Sequence, residues 1–181
     1  MRIFLTTAAA VSFFLGAFGV AKAADDNGQA AEKGKARVGT FDSRAVAVAY
    51  ASSKFFNERL QQMKTQLAEA EAKGDKEKAD QIKAQGKSLQ EQMHLQGFGT
   101  ASVKKYLDVV KDKLPAIAKE AHVDFIVSKW DVVYQDPAVE AVDVTEDIVK
   151  AFEPNAQTLK SIQDLIKHPP IAEEEIRKIK D

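Results

Sequence analysis

Metal binding and nucleophilic catalysis both need particular residues close together, and this chain of 181 residues offers few such groupings. Its three His residues, His94, His122 and His168, are scattered and lack the short spacings that bring two ligands onto one metal. No Gly-x-Ser-x-Gly turn, no phosphate-cradling glycine loop and no cysteine nucleophile occurs. The absence of Cys also excludes a disulfide staple and a lipid-modified N-terminal Cys. Carboxylates are plentiful, but on charged helices paired carboxylates are usually ion-pair partners one turn apart. The sequence therefore points to no catalytic residue, no metal ligand set and no cofactor, and a non-enzymatic role is expected.

What remains is the chemistry of binding. Gly97-Phe98-Gly99 places an aromatic residue between the two residues least willing to stay helical. Either a helix breaks there or Phe98 is presented outward. Trp130 with Tyr134 is a second aromatic pair, expected as core or subunit-interface residues of a small sheet rather than as a ligand platform.

The elements that must carry these residues are dominated by one stretch. From Val46 through Phe56, Leu60, Met63 and Leu67 to Ala70, apolar residues recur at alternating steps of three and four. The rhythm returns from Ala79 through Ile82, Leu89, Met93, Val103, Leu107 and Leu114 to Ala121. Lys73-Gly74-Asp75 offers the turn between the halves. This predicts an antiparallel helical hairpin, a coiled-coil arm over about 44–121, with a bend near Lys111–Leu114 imposed by Pro115.

The flanks read as strands. Arg37-Val38-Gly39-Thr40-Phe41-Asp42 is a short one, with Asp42 or Ser43 as N-cap of the helix that follows. A strand pair is expected over 123–134: Val123–Ser128, a turn at Lys129-Trp130-Asp131, then Val132-Val133-Tyr134. Val139–Asp143 is a further extended segment. Asp143-Val144-Thr145-Glu146 has capping-box spacing and opens a short helix over 145–152. A helical tail, 153–181, follows Pro154 and is itself broken at Pro169-Pro170.

Met1-Arg2, the apolar run Ile3–Val20 and Ala21-Lys22-Ala23 have the form of a signal peptide over 1–23, cleaved after Ala23, with an uncleaved membrane anchor as the alternative. A flexible leader is expected over 24–36. No second apolar run is long enough to span a bilayer. Removing Arg2 and Lys22 leaves 24 basic against 27 acidic residues, a net of −3, and with no dense basic cluster a nucleic-acid partner is not expected. Residues 54–122 carry a net of +3 and residues 136–181 a net of −5, so the arm is mildly cationic and the C-terminal part acidic. The fold class is thus α+β: a small sheet built from both ends of the chain with a helical arm inserted between them.

With a signal segment, the strand Val38–Ser43, the arm and the stretch Val123-Asp124-Phe125-Ile126-Val127, Val132-Val133-Tyr134 and Val142–Val149, residues 37–152 resemble the OmpH/Skp-like family of exported chaperones. The resemblance implies a periplasmic homotrimer whose short strands close a small barrel, with three arms projecting around a cavity that holds unfolded outer-membrane or exported proteins. The oligomer interface would then draw on Val38, Phe41, Phe125, Val127, Trp130, Val133 and Tyr134. Client contact would fall to Phe98, Leu95 and Met93, with Lys83, Lys87, Lys104 and Lys105 supplying charge; Met93 also lies on the heptad stripe. The alternative is an envelope structural or adaptor protein whose arm binds one folded partner.

Overall fold

Val38, Thr40 and Phe41 favour extended backbone, and they form β1 (Val38–Phe41), the middle strand of a three-stranded sheet. The computed structural model describes residues 36–179. The expected signal peptide, its cleavage site and the leader through residue 35 lie outside the described residues. β1 pairs with β2 (Phe125–Ser128) on one side and β3 (Ala141–Asp143) on the other, and Val38 stands opposite both Phe125 and Ala141. Both pairings are parallel. The chain is mixed helix and strand, with one strand before the long helices and two after them.

The expected strand pair over 123–134 does not form: Val132, Val133 and Tyr134 lie outside every strand, and Ala141–Asp143 takes the second place beside β1. The reason lies in residues 129 and 130. The backbone N–H of Lys129 donates to the Phe41 carbonyl at 2.9 Å, carrying the ladder one residue beyond β2. The side chains of Lys129 and Trp130 then reach Asp42, past the end of β1. The chain is led across the sheet rather than back along it, and residues 129–140 are long enough for the crossover that a parallel neighbour requires.

Asp42 caps α1 (Ser43–Ala51), its Oδ1 accepting from the Arg44 N–H at 3.0 Å. Nearly every residue of α1 is buried, because a helix that is apolar all round belongs inside. Its alanines let α3 (Lys76–Gly97), α6 (Thr145–Lys150) and α7 (Ala156–Leu165) pack against it. So α1 is the core helix and not the first part of the arm expected over about 44–121. It ends at Ser52, and Ser53 caps a separate helix, α2 (Lys54–Ala72).

Lys73-Gly74-Asp75 joins α2 to α3, with Gly74 at φ +70° and Asp75 accepting from the Lys78 N–H at 3.0 Å. Ala70, Ala79 and Ile82 cluster with Leu67 near that turn, while Phe56 and Leu89 join the main core. The second half of the expected returning helix is broken up. α3 stops at Gly97, and α4 (Lys104–Leu107) and α5 (Leu114–Glu120) follow as short pieces. Gln96 fixes the corner between them: its Nε2 donates to the Ser102 carbonyl at 2.6 Å, and its Oε1 accepts from the Tyr106 hydroxyl. Tyr106 stacks on Tyr50 of α1, ring centroids 4.0 Å apart. Pro115 sits in the first turn of α5, where its missing N–H leaves no bond unmade.

α6 supplies Ile148 and Val149 to the core, flanked by Val144 and Phe152. α7 is capped by Asn155, and α8 (Glu173–Ile176) ends the described chain. Among the described residues no helix is long and apolar enough to cross a membrane.

Ile148 has no exposed surface, so Ile148→Ala removes buried methylenes from the junction of α1 and α6. It should cost about 2–5 kcal/mol in chemical denaturation, whereas Gly74→Ala, strained only by its positive φ, should cost about 1 kcal/mol.

Candidate functional site

Two sites stand out, one polar and buried, the other apolar and open. The polar site lies where β1 meets α1. The Asp42 side chain is 1% exposed, yet five donors surround its carboxylate. Arg44 donates from its backbone N–H at 3.0 Å, from Nε at 3.1 Å and from Nη2 at 2.8 Å. Lys129 Nζ lies at 2.9 Å and the Trp130 indole N–H donates at 3.3 Å. The Trp130 ring also faces both cations, 4.5 Å from Lys129 Nζ and 5.1 Å from the Arg44 guanidinium carbon. Arg44 Nη1 reaches outward to the His168 carbonyl at 2.9 Å. The backbone N–H of Asp42 donates to Thr145 Oγ1 at 2.9 Å, tying in the start of α6.

Burial alone pushes the Asp42 carboxyl up, but hydrogen bonds from Arg44 and Lys129, with their charges, outweigh it and lower the pKa from 3.8 to about 2. A group ionised over the whole physiological range, with its lone pairs engaged, is not a general acid or base. Two cations already seated on the carboxylate also repel a metal ion. The arrangement positions backbone.

The apolar site is at the end of α3. Phe98, the C-cap residue, is 40% exposed, and its ring lies 5.7 Å from that of His94. Beside it a cavity of about 340 Å³ opens between α1, α3 and α7, lined by Val48, Met93, Phe98, Tyr106 and Leu165 among others. Leu95 turns to another side, where it meets Ile176 of α8 in a groove of about 670 Å³ that also includes Lys87.

The residues expected to contact a client are therefore only partly gathered. Phe98 and Met93 share the cavity, while Leu95 and Lys87 share the groove. Lys83 is paired with Glu71 at 2.9 Å, which raises its pKa, and Lys104 lies 3.6 Å from Asp108. Lys105 is exposed on α4. Among the residues expected at an oligomer interface, Phe41 belongs to this chain's own core, and Trp130 is engaged with Asp42. Val38 and Val127 are half-buried, Phe125 is exposed, Tyr134 is 79% exposed and Val133 fully so. The expected pairing of Trp130 with Tyr134 is thus not seen as a shared site.

Sequence reasoning missed the buried ion network, placing Asp42 as a cap, Lys129-Trp130-Asp131 at a turn and Trp130 in the core or at a subunit interface. One signal was present: Arg44 is the single charged residue in the otherwise apolar and small Ser43–Ala51. No family model, curated protein or solved structure matches the chain.

Removing the carboxylate leaves Arg44 buried without its partner, so Asp42→Ala should cost about 3–5 kcal/mol in denaturant titration. Replacing Asp42 and Arg44 together by apolar residues should cost much less than that single change. The acid limb follows from the lowered pKa. The stabilisation is complete above 3.8 and is lost as pH falls through about 2, a difference of about 2 kcal/mol that Asp42→Ala should abolish.

Proposed function

We propose that the protein is an exported, periplasmic holdase of the OmpH/Skp-like kind, binding unfolded outer-membrane or other exported proteins. In this reading α2 and α3 serve as an antiparallel coiled-coil arm and the sheet associates into a homotrimer. The observation that carries it is apolar surface left half-covered. Leu60, Met63, Leu67 and Met93 are only partly buried along α2 and α3, and Phe98 stands exposed at the end of α3. Leu and Met side chains adapt to many shapes, which suits weak binding of varied clients. Lys87 and Lys105 add positive charge that attracts acidic segments at long range.

The trimer is supported by the base. Strands of three and four residues bury little apolar surface alone, and among the described residues β2 and β3 each present an unpaired edge. The exposed Val133 and Tyr134 follow β2, where Phe125 is exposed as well. These residues are a surface for another copy to cover. A second reading, an adaptor with one folded partner, draws on the cavity beside Phe98, which suits a single defined side chain better than a sliding polypeptide.

Light scattering of the purified mature protein should give about three times the mass of one chain, and the pair Val133→Asp with Tyr134→Ser should shift it to monomer. The same trimer at equimolar ratio should suppress aggregation of an unfolded outer-membrane protein, less so as salt is raised. Aggregation unchanged at every salt concentration removes the holdase reading. Capture of one stoichiometric partner, lost in Phe98→Ala, favours the adaptor.

A further inference from the structure

The C-terminal tail crosses the apolar corner of the arm, yet very little holds it there. After α7 the chain passes His168, whose carbonyl accepts from Arg44 Nη1, and then Pro169-Pro170. The Ile171 N–H donates to the Phe98 carbonyl at 2.8 Å. Ile176 then drops into a notch at Gly99 and Leu95 and is 3% exposed. The fit is close: a Cβ on Gly99 would come within 2.9 Å of Ile176 Cδ1. Of residues 166–179, Ile176 alone is buried, while Ile166, Ile171 and Ile179 remain exposed. A segment with one apolar anchor and two backbone anchors opens at far lower cost than the core.

We propose that residues 166–179 are an autoinhibitory strap that occupies, within the chain, a binding notch for a single-turn helical segment bearing one aliphatic anchor. The strap itself is the pattern for that partner. Glu173, Glu174 and Glu175 form the first turn of α8, where carboxylates favour the positive helix end, and Ile176 follows as the anchor. The facing side of the groove is supplied by Lys87, Glu91, His94 and Leu95 of α3, so its charges balance and the apolar anchor carries the recognition. Release uncovers Leu95 and frees Ile171 and Ile176, enlarging the apolar surface already begun by Phe98. This deepens the binding reading above, since Leu95 and Phe98 are its candidate contact residues, but filling of the notch is measured without any unfolded client.

The test uses the full chain, wild type and Ile176→Asp, with a fluorescent synthetic peptide of residues 167–179 as probe. A tethered strap competes at an effective concentration in the millimolar range. The peptide should therefore bind Ile176→Asp at least about tenfold more tightly than wild type, by fluorescence anisotropy. A peptide that itself carries Ile176→Asp should bind neither chain. Hydrogen exchange at the Ile171 amide should be faster in Ile176→Asp while the core amides of α1 stay protected, which shows that the variant is folded. Equal affinity for the two chains, no binding to Ile176→Asp, or unchanged exchange at Ile171 overturns the strap. Loss of aggregation suppression with the peptide result intact overturns the holdase and leaves the strap standing.

Discussion

Burying a carboxylate costs several kcal/mol unless donors surround it, and the donors around Asp42 come from separate stretches of the chain. Arg44 opens the core helix and Lys129 and Trp130 follow β2, while Thr145, which opens α6, accepts the Asp42 backbone N–H. Through Arg44 the same network takes hold of the His168 carbonyl, well into the tail. None of these partners can shift far without leaving a charge or an N–H unmet in a dry site. An apolar cluster of the same volume would be as stable or more so, but it would not set the same positions. The network fixes where the central strand ends, where the next helix begins and where the chain after β2 must go.

That last constraint shapes the surface. Because Lys129 and Trp130 are drawn to Asp42, the chain crosses to the far side of β1, and Val132–Tyr134 is left outside the sheet with Val133 and Tyr134 exposed. The interior is meanwhile concentrated on α1, whose alanines admit three neighbouring helices. Little apolar material remains to fill the space between α2 and α3 near their turn, where Ala70, Ala79 and Ile82 are the buried residues. The protein therefore has a well-packed base with exposed apolar residues at its sheet, and a thinly packed helical pair with partly covered Leu and Met. Those two surfaces are what the proposed association and client binding use.

Much of this was legible in the sequence where the determinants are local. Asp42, Ser53, Asp75 and Asn155 each cap a helix, as short polar residues before periodic segments do. Gly74 marks the turn, and Gly97-Phe98-Gly99 marks both the end of α3 and an exposed aromatic ring. What the sequence concealed is non-local. The heptad spacing continues through Val103, Leu107 and Leu114 although the helix does not, because Gln96 and Tyr106 close a corner across ten residues. Residues 123–134 alternate as a hairpin would, and only the attraction of Lys129 and Trp130 to a residue some ninety positions earlier redirects them. Arg44 stands at the start of a helix, and its partners beyond Asp42, the His168 carbonyl and the Trp130 ring, lie far away in the sequence.

Asp42 is a fully engaged carboxylate, and nuclear magnetic resonance of its side-chain carboxyl carbon measures that directly. Followed from pH 6 downward in the folded protein, the carboxyl should still be ionised at pH 3 and titrate with a midpoint of about 2. A midpoint near 3.8, the value of an unperturbed carboxyl, would contradict the network and with it the explanation of the crossover, the tail and the exposed segment after β2.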